Sequence, residues 1–403
     1  MIPQFPMTHK TPAIALAIFF ALGEALPSGY CAAQDARGTA GKSFSAADSA
    51  PGAVDALLSR ARRAGGVLTE DSSVTFLYRG KAGHVFIAGD PNGWDPAADE
   101  MERLPGTDLY VGRWHADPSA RFEYKLVVDS AWICDPLNPL TASGGFGDNS
   151  EVRMPRYRFP AETLPRKGTP HGGIDTLSFM SARLGRRIPV YVYLPPGYQG
   201  TAGSYPVMYV TDGGEYLTRT GMNNVIDNLT AAGEILPLIA VFIDPRSDPA
   251  DPGSNHRMSD YALSDMFVGA VCEELRPLVM NRYRAMAGPR NTAIMGASMG
   301  GLIATYAAFT RPEVFGLCAA QSPSYQWQND TLITMIRNSA RRDFRMYLCT
   351  GTIRDAEKRS RVMRDLMTAK GYRITYAEYP ESHNWLNWSG RLADILRTFR
   401  GTR

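Results

Sequence analysis

The spacing of apolar positions changes character along the chain. Between Ser72 and about Arg158 the period is two, the signature of half-buried strands. Residues 74–78, 84–88, 109–115 and 122–128 alternate in this way. Turn clusters separate them: Gly80-Lys81-Ala82-Gly83, Asp90-Pro91-Asn92-Gly93 and Pro105-Gly106-Thr107-Asp108. Several short strands at such intervals predict an all-β sandwich over 72–158. From about Gly173 the pattern becomes apolar runs rich in β-branched residues, at 176–180, 188–194, 207–211 and 238–243. A helix is predicted over 223–232, and a longer amphipathic one over 264–283. Further strands follow at 292–295, 316–321, 345–350 and 373–378, with a helix over 302–309 and a closing helix over 386–399. Strands alternating with helices predict a mostly parallel sheet covered on both faces.

The flanks read differently. His9 and Lys10 precede an apolar stretch from Thr11 to Leu22, followed by Cys31-Ala32-Ala33. The stretch is too short to span a bilayer and is expected to be an export signal over 1–33, cleaved after Ala33, giving a periplasmic or secreted protein. Lipid anchoring at Cys31 is the alternative, disfavoured by Tyr30. Residues 34–71 read as a linker with one helix near 54–64. Residues 159–173, rich in Pro, Arg and Gly, connect to a domain over 174–403.

The 403 residues carry a net charge of +3, with 21% charged and 44% hydrophobic. That length suffices for a large core and two or three domains. Lys and Arg are scattered, so no nucleic-acid footprint is expected. Besides Cys31, the cysteines are Cys134, Cys272, Cys318 and Cys349. Export would permit disulfides, but the spacings are irregular and offer no zinc pattern. Cys272, Cys318 and Cys349 lie in apolar contexts and read as core residues.

Gly296-Ala297-Ser298-Met299-Gly300 fits G-x-S-x-G between a predicted strand and a predicted helix. That context presents a serine at a sharp turn as a nucleophile. A serine hydroxyl needs a base, and the base an orienting acid. In α/β-hydrolases the chain order is serine, acid, histidine. Of six histidines only His383 follows Ser298. Asp355, on the loop after the strand at 345–350, is the expected acid, with Glu357 in reserve. The oxyanion is expected to meet the N–H of Met299 and that of Gly213 or Gly214, in the glycine turn after the strand at 207–211.

Five stretches, YVYLPPGY (191–198), YPVMYVTDGG (205–214), MGASMGG (295–301), YLCTGTIRDAE (347–357) and YPESHNWLNW (379–388), resemble the bacterial esterase family of enterochelin, feruloyl and acetylxylan esterases and S-formylglutathione hydrolases. The resemblance implies an α/β-hydrolase fold and hydrolysis of carboxylic esters through an acyl-serine, with neither cofactor nor metal. The strings VFIAGDPNGWDP and RFEYKLVVDSAWICDP resemble early-set immunoglobulin-like modules of glycogen-processing enzymes, and look closer to those than to the N-terminal domain of enterochelin esterases. There, exposed aromatics stack on sugars; Trp94, Trp114 and Trp132 are the candidates, against a role in filling the sandwich core or the domain interface. Arg257 lies where the family places a substrate-contacting arginine, and reads equally as a loop ion pair. Tyr325 and Trp327 are candidates to stack on an aromatic acyl group, or to line the cleft rim.

The reading is therefore an exported serine esterase, enterochelin-esterase-like and acting on a siderophore or related catechol ester. A feruloyl- or acetylxylan-type polysaccharide esterase is the alternative. A carbohydrate-binding protein with an inactive hydrolase domain is a third. The ester and the oligomeric state are left open.

Overall fold

The computed structural model describes residues 51–144 and 147–402. A helix, Pro51–Arg63, leads into nine antiparallel strands. These are β1 (Leu68–Glu70), β2 (Ser73–Arg79), β3 (Val85–Gly89), β4 (Glu102–Arg103), β5 (Leu109–His115), β6 (Arg121–Val128), β7 (Ala131–Ile133), β8 (Thr141–Gly144) and β9 (Gly147–Arg153). One sheet has the order β1-β2-β5-β4; the other has β3-β6-β9-β8, with β7 paired to β6. Alternation puts Val74 and Phe76 of β2, Ile87 of β3 and Phe122, Tyr124 and Leu126 of β6 into one shared apolar cluster. Trp114 belongs to it, edge-on to Phe76 at 5.1 Å. Trp94 and Trp132 lie outside it; their indoles are near-parallel, 6.5 Å apart, and Trp132 is exposed.

Eight more strands form one sheet. They are β10 (Gly173–Ser181), β11 (Arg186–Leu194), β12 (Val207–Val210), β13 (Ile239–Ile243), β14 (Thr292–Ala297), β15 (Leu317–Gln321), β16 (Arg345–Gly351) and β17 (Arg373–Tyr379). The order is β10-β11-β13-β12-β14-β15-β16-β17. The β10–β11 and β11–β13 pairs are antiparallel, and all pairs from β13 to β17 are parallel. This is the α/β-hydrolase architecture. Its central strands are apolar throughout because both faces are covered. Val207, Tyr209 and Ile294 point into one core, and Met208, Val210, Ala293 and Met295 into the other.

Two predicted helices are interrupted. The one expected over 264–283 runs as Asp265–Gly269, a wide π-type stretch Ala270–Leu275, and Arg276–Arg282. Pro277 lacks the N–H for a regular turn, and its ring would clash with the carbonyl four residues back; widening relieves both. The closing helix is two, Trp385–Ser389 and Leu392–Arg400, parted at Gly390 and Arg391. Cys134, Cys272, Cys318 and Cys349 are all free thiols. Burial pushes Cys272, Cys318 and Cys349 up to about 12, which leaves them unreactive. Among the described residues no helix is long and apolar enough to cross a membrane. The expected signal, including Cys31, lies outside the described residues.

Candidate active site

β14 ends at Ala297 and the helix Met299–Thr310 begins two residues later. Ser298 must turn the chain alone, and does so at φ 57°, ψ −122°. Holding a side-chain-bearing residue there costs about 1–3 kcal/mol and persists only where its surroundings fix it. They do: its N–H donates to Gln321 O at 2.9 Å, and its carbonyl accepts from Ser324 N at 3.1 Å and Leu302 N at 3.0 Å. A Cβ on Gly296 would strike Thr211 Oγ1 and the Gly300 backbone; one on Gly300 would lie 2.9 Å from Asp212 Oδ2. The motif needs glycine there for close approach, not for a positive φ.

The loop after β17 brings His383 Nε2 to 3.0 Å from Ser298 Oγ. The loop after β16 brings Asp355 Oδ1 to 2.6 Å from His383 Nδ1. The imidazole is 40% exposed while the carboxylate is sealed, so the ring faces solvent and the charge behind it does not. Asp355 Oδ2 accepts from Ser322 Oγ and from Gly351 N–H, each at 2.6 Å. Burial by itself would raise this carboxyl. The hydrogen bond and charge of His383, then Ser322 and Gly351, outweigh burial and hold it below the usual aspartate range. Glu357 is not at the histidine; it sits in the first turn of the helix Glu357–Ala369, where a carboxylate suits the helix dipole.

Met299 opens the elbow helix, and Gly213 and Gly214 open the helix Gly213–Arg219. First-turn N–H groups have no acceptor within their own helix. β12 and β14 are in register at Val210 and Met295, so both helix starts emerge at the same sheet edge. A Cβ on Gly213 would collide with the Phe242 and Ile243 backbone, and one on Gly214 with the Asp244 carboxylate.

Of the three residues expected to touch substrate, Arg257 takes its ion-pair alternative and Tyr325 is withdrawn from any ligand. Arg257 does not reach outward for a ligand; its guanidinium is bidentate on buried Asp212, at 2.8 and 3.0 Å. Tyr325 is fully buried, its hydroxyl 2.9 Å from Thr305 Oγ1 beneath the elbow helix, so it has no face to offer an acyl group. Trp327 is half-buried against the same core. The sequence reading also passed over three residues that touch the site. Ser322 links Asp355 to Trp388, whose Nε1 donates to Ser322 Oγ at 3.0 Å. Trp388 stands edge-on to His383, ring centres 5.0 Å apart. Ser324 Oγ is 3.2 Å from Ser298 Oγ. Trp388 sits inside a stretch that carried the resemblance, Ser322 and Ser324 outside all five, and nothing in one dimension pairs the three.

Residues 181–399 match the family model named Esterase. The iron(III) enterobactin esterase of Dickeya dadantii is 25% identical over 359 residues, 76% of this chain and 80% of that one. The endo-1,4-beta-xylanase/feruloyl esterase of Xylanibacter ruminicola is 32% identical over 210 residues, half of this chain but 28% of that protein. Among solved structures, the enterobactin esterase of Shigella flexneri superimposes with TM-score 0.71 at 23% identity, covering 85% of this chain and 97% of its own. A match over 85% of the chain extends past the eight-stranded sheet into the antiparallel strands.

Proposed function

The chain belongs to the Esterase family, and we propose that it is an exported serine carboxylic-ester hydrolase acting on a siderophore or related catechol ester. The supporting observation is the continuous chain from Asp355 Oδ1 through His383 to Ser298 Oγ, at 2.6 and 3.0 Å. Ser298 Oγ attacks the ester carbonyl as His383 Nε2 takes its proton. Asp355 fixes the tautomer and stabilises the imidazolium. The N–H groups of Met299 and of Gly213 or Gly214 receive the developing oxyanion. His383 then returns the proton to the leaving alcohol, and water, deprotonated by the same imidazole, releases the acid. No step in this scheme calls on a cofactor. The enterobactin-esterase relatives lean the substrate toward a catechol-bearing ester.

The test is a hydrolysis panel of ferric enterobactin, methyl ferulate and acetylated xylan, with wild type and Ser298→Ala. Loss of hydrolysis in the variant, with ferric enterobactin preferred, is expected. Equal activity in wild type and Ser298→Ala would exclude the mechanism. Export predicts a mature N-terminus at Gln34 in the periplasm or medium; full-length protein in the cytoplasm would contradict it.

One observation favours the polysaccharide-ester alternative: the near-parallel pair of half-buried Trp94 and exposed Trp132. Preference for methyl ferulate or acetylated xylan in the panel would select it. The assembled hydrogen-bond chain at Ser298 counts against a purely carbohydrate-binding protein. Retention on starch or xylan together with no hydrolysis would reinstate that reading.

A further inference from the structure

The loop carrying His383 is held from outside the eight-stranded sheet. Arg121, the first residue of β6, donates its N–H to Pro380 O at 3.1 Å and its Nη1 to Asn384 Oδ1 at 3.3 Å. Nη1 also lies 3.9 Å from Glu381 Oε2. The guanidinium is fully buried, and its other nitrogens meet Glu151 at 3.0 Å and Glu123 at 3.3 Å. Arg391 takes the second Glu381 oxygen at 2.9 Å. Asn384 Nδ2 donates to Asp90 Oδ2 at 3.3 Å and to Ser382 Oγ at 3.0 Å. Asp90 is itself fixed by Glu123 N–H at 2.8 Å and Trp94 Nε1 at 3.0 Å. Both ends of the amide next to His383 are thus gripped by the antiparallel region.

The same region touches the loop of the acid. Ile353 packs on the apolar cluster between the antiparallel sheets. The Arg354 guanidinium lies 2.9–3.1 Å from where a Cβ on Gly93 would stand. Residues flanking both Asp355 and His383 therefore rest on strands and turns from the first part of the chain.

An imidazole that must serve a carboxylate and a hydroxyl at once tolerates little displacement; about 1 Å can cost 10²-fold in rate. The His383 ring is partly exposed, with Trp388 edge-on against it. We propose that Arg121 is a positioning residue, on the serine-esterase reading above: it fixes residues 380–384 and through them sets His383 Nε2 over Ser298. The antiparallel region is then part of the catalytic centre and not an appended module. A planar, forked cation is required, because lysine cannot span two carboxylates, an amide oxygen and a third carboxylate from one head group.

The experiment compares full-length Arg121→Lys and Arg121→Met with Glu151→Gln. Glu151 shares the buried ion network, but its side-chain hydrogen bonds go to Arg121 and Arg153 and not to residues 380–384. Thermal stability, kcat and KM on p-nitrophenyl acetate are measured, together with the proton NMR signal of the His383–Asp355 hydrogen bond. Arg121→Lys is expected to fold, to lose about 10- to 100-fold in kcat with KM within about twofold, and to broaden or lose that signal. Glu151→Gln is expected to lower the melting temperature while keeping kcat within about twofold of wild type. A folded Arg121→Lys with wild-type kcat and an intact His383 signal overturns the proposal. So does a Glu151→Gln whose kcat falls as far as that of Arg121→Lys, since the effect is then general destabilisation. Should both arginine variants fail to fold, Asn384→Ser carries the test. Its short side chain keeps an oxygen for the Asn387 N–H but cannot reach Asp90 or Arg121; the same kcat loss supports the proposal and wild-type kcat overturns it. If wild-type protein hydrolyses no ester, the serine-esterase reading falls. The NMR signal then decides the role of Arg121: its loss in Arg121→Lys supports positioning and its persistence refutes it.

Discussion

Arg257 holds Asp212 with both arms of its guanidinium, Nε to Oδ1 at 2.8 Å and Nη2 to Oδ2 at 3.0 Å. Nη2 also donates to Ala297 O at 3.2 Å, so one side chain joins the turn before Gly213 to the residue before Ser298. The Asp212 side chain is fully buried. Removing its partner leaves an uncompensated charge, which typically costs about 3–5 kcal/mol. Arg257→Met is therefore expected to lower stability by that order in urea unfolding, and to reduce kcat on p-nitrophenyl acetate more than it raises KM. A variant of wild-type stability whose KM rises for anionic esters alone would return Arg257 to a substrate-binding role.

Asp355 and Glu357 make different predictions. Asp355→Asn should favour the wrong imidazole tautomer and reduce kcat by about 10⁴-fold. Glu357→Gln changes only a helix-end charge and should leave kcat close to wild type. Steady-state kinetics on both variants checks the assignment; a large loss in Glu357→Gln with a small one in Asp355→Asn would reverse it.

The pH dependence of stability has opposite signs at two carboxyls. Burial, then the charge of Glu123, raises Asp90 to about 6. Its folded value exceeds its unfolded one, so the stability it contributes is complete below about pH 4 and is lost as pH rises through about 6. Asp355 is held low, so its contribution is present above about pH 4 and lost as pH falls through its folded value. Asp90→Asn removes the first dependence. Relative to that variant, wild type should lose on the order of 3 kcal/mol as pH climbs from about 4 to 7. Chemical unfolding across that range measures it; a constant difference would refute the assignment.

Gly300 is predicted to resist substitution because of Thr211 and Asp212. A Cβ there would lie 2.5 Å from Thr211 Oγ1 and 2.9 Å from Asp212 Oδ2. Gly300→Ala is expected to cost about 1–3 kcal/mol by overpacking. Thr211→Ala removes the nearer atom, so the double variant should be less destabilised than the sum of the singles, with a coupling of about 0.5–3 kcal/mol. Strict additivity would mean the glycine is needed for another reason.

Much of this geometry was legible in one dimension. The sharp turn at Ser298 is readable because a strand running straight into a helix needs small neighbours and correct flanks, and Gly296 and Gly300 supply the first. His383 followed from chain order, with no competing histidine after Ser298. Asp355 was only half legible: two carboxylates lie on one loop, and which of them reaches the ring depends on how the loop after β16 turns. Tyr325 misled because an aromatic near a predicted cleft looks the same in sequence whether it faces solvent or core. Trp114 and Trp94 divide in the same way.

By itself the sequence determined the two periodicities, the strand–turn–helix around Ser298 and the order of the serine, acid and histidine, because each is set by neighbours a few positions apart or by order along one line. Tertiary structure alone decided that Arg257 faces Asp212, 45 positions away, and that Arg121 reaches Asn384, 263 positions away. Such pairings arise where separate stretches of chain bury charge against one another. A charged residue does not carry in its local pattern the address of the partner that makes its burial tolerable.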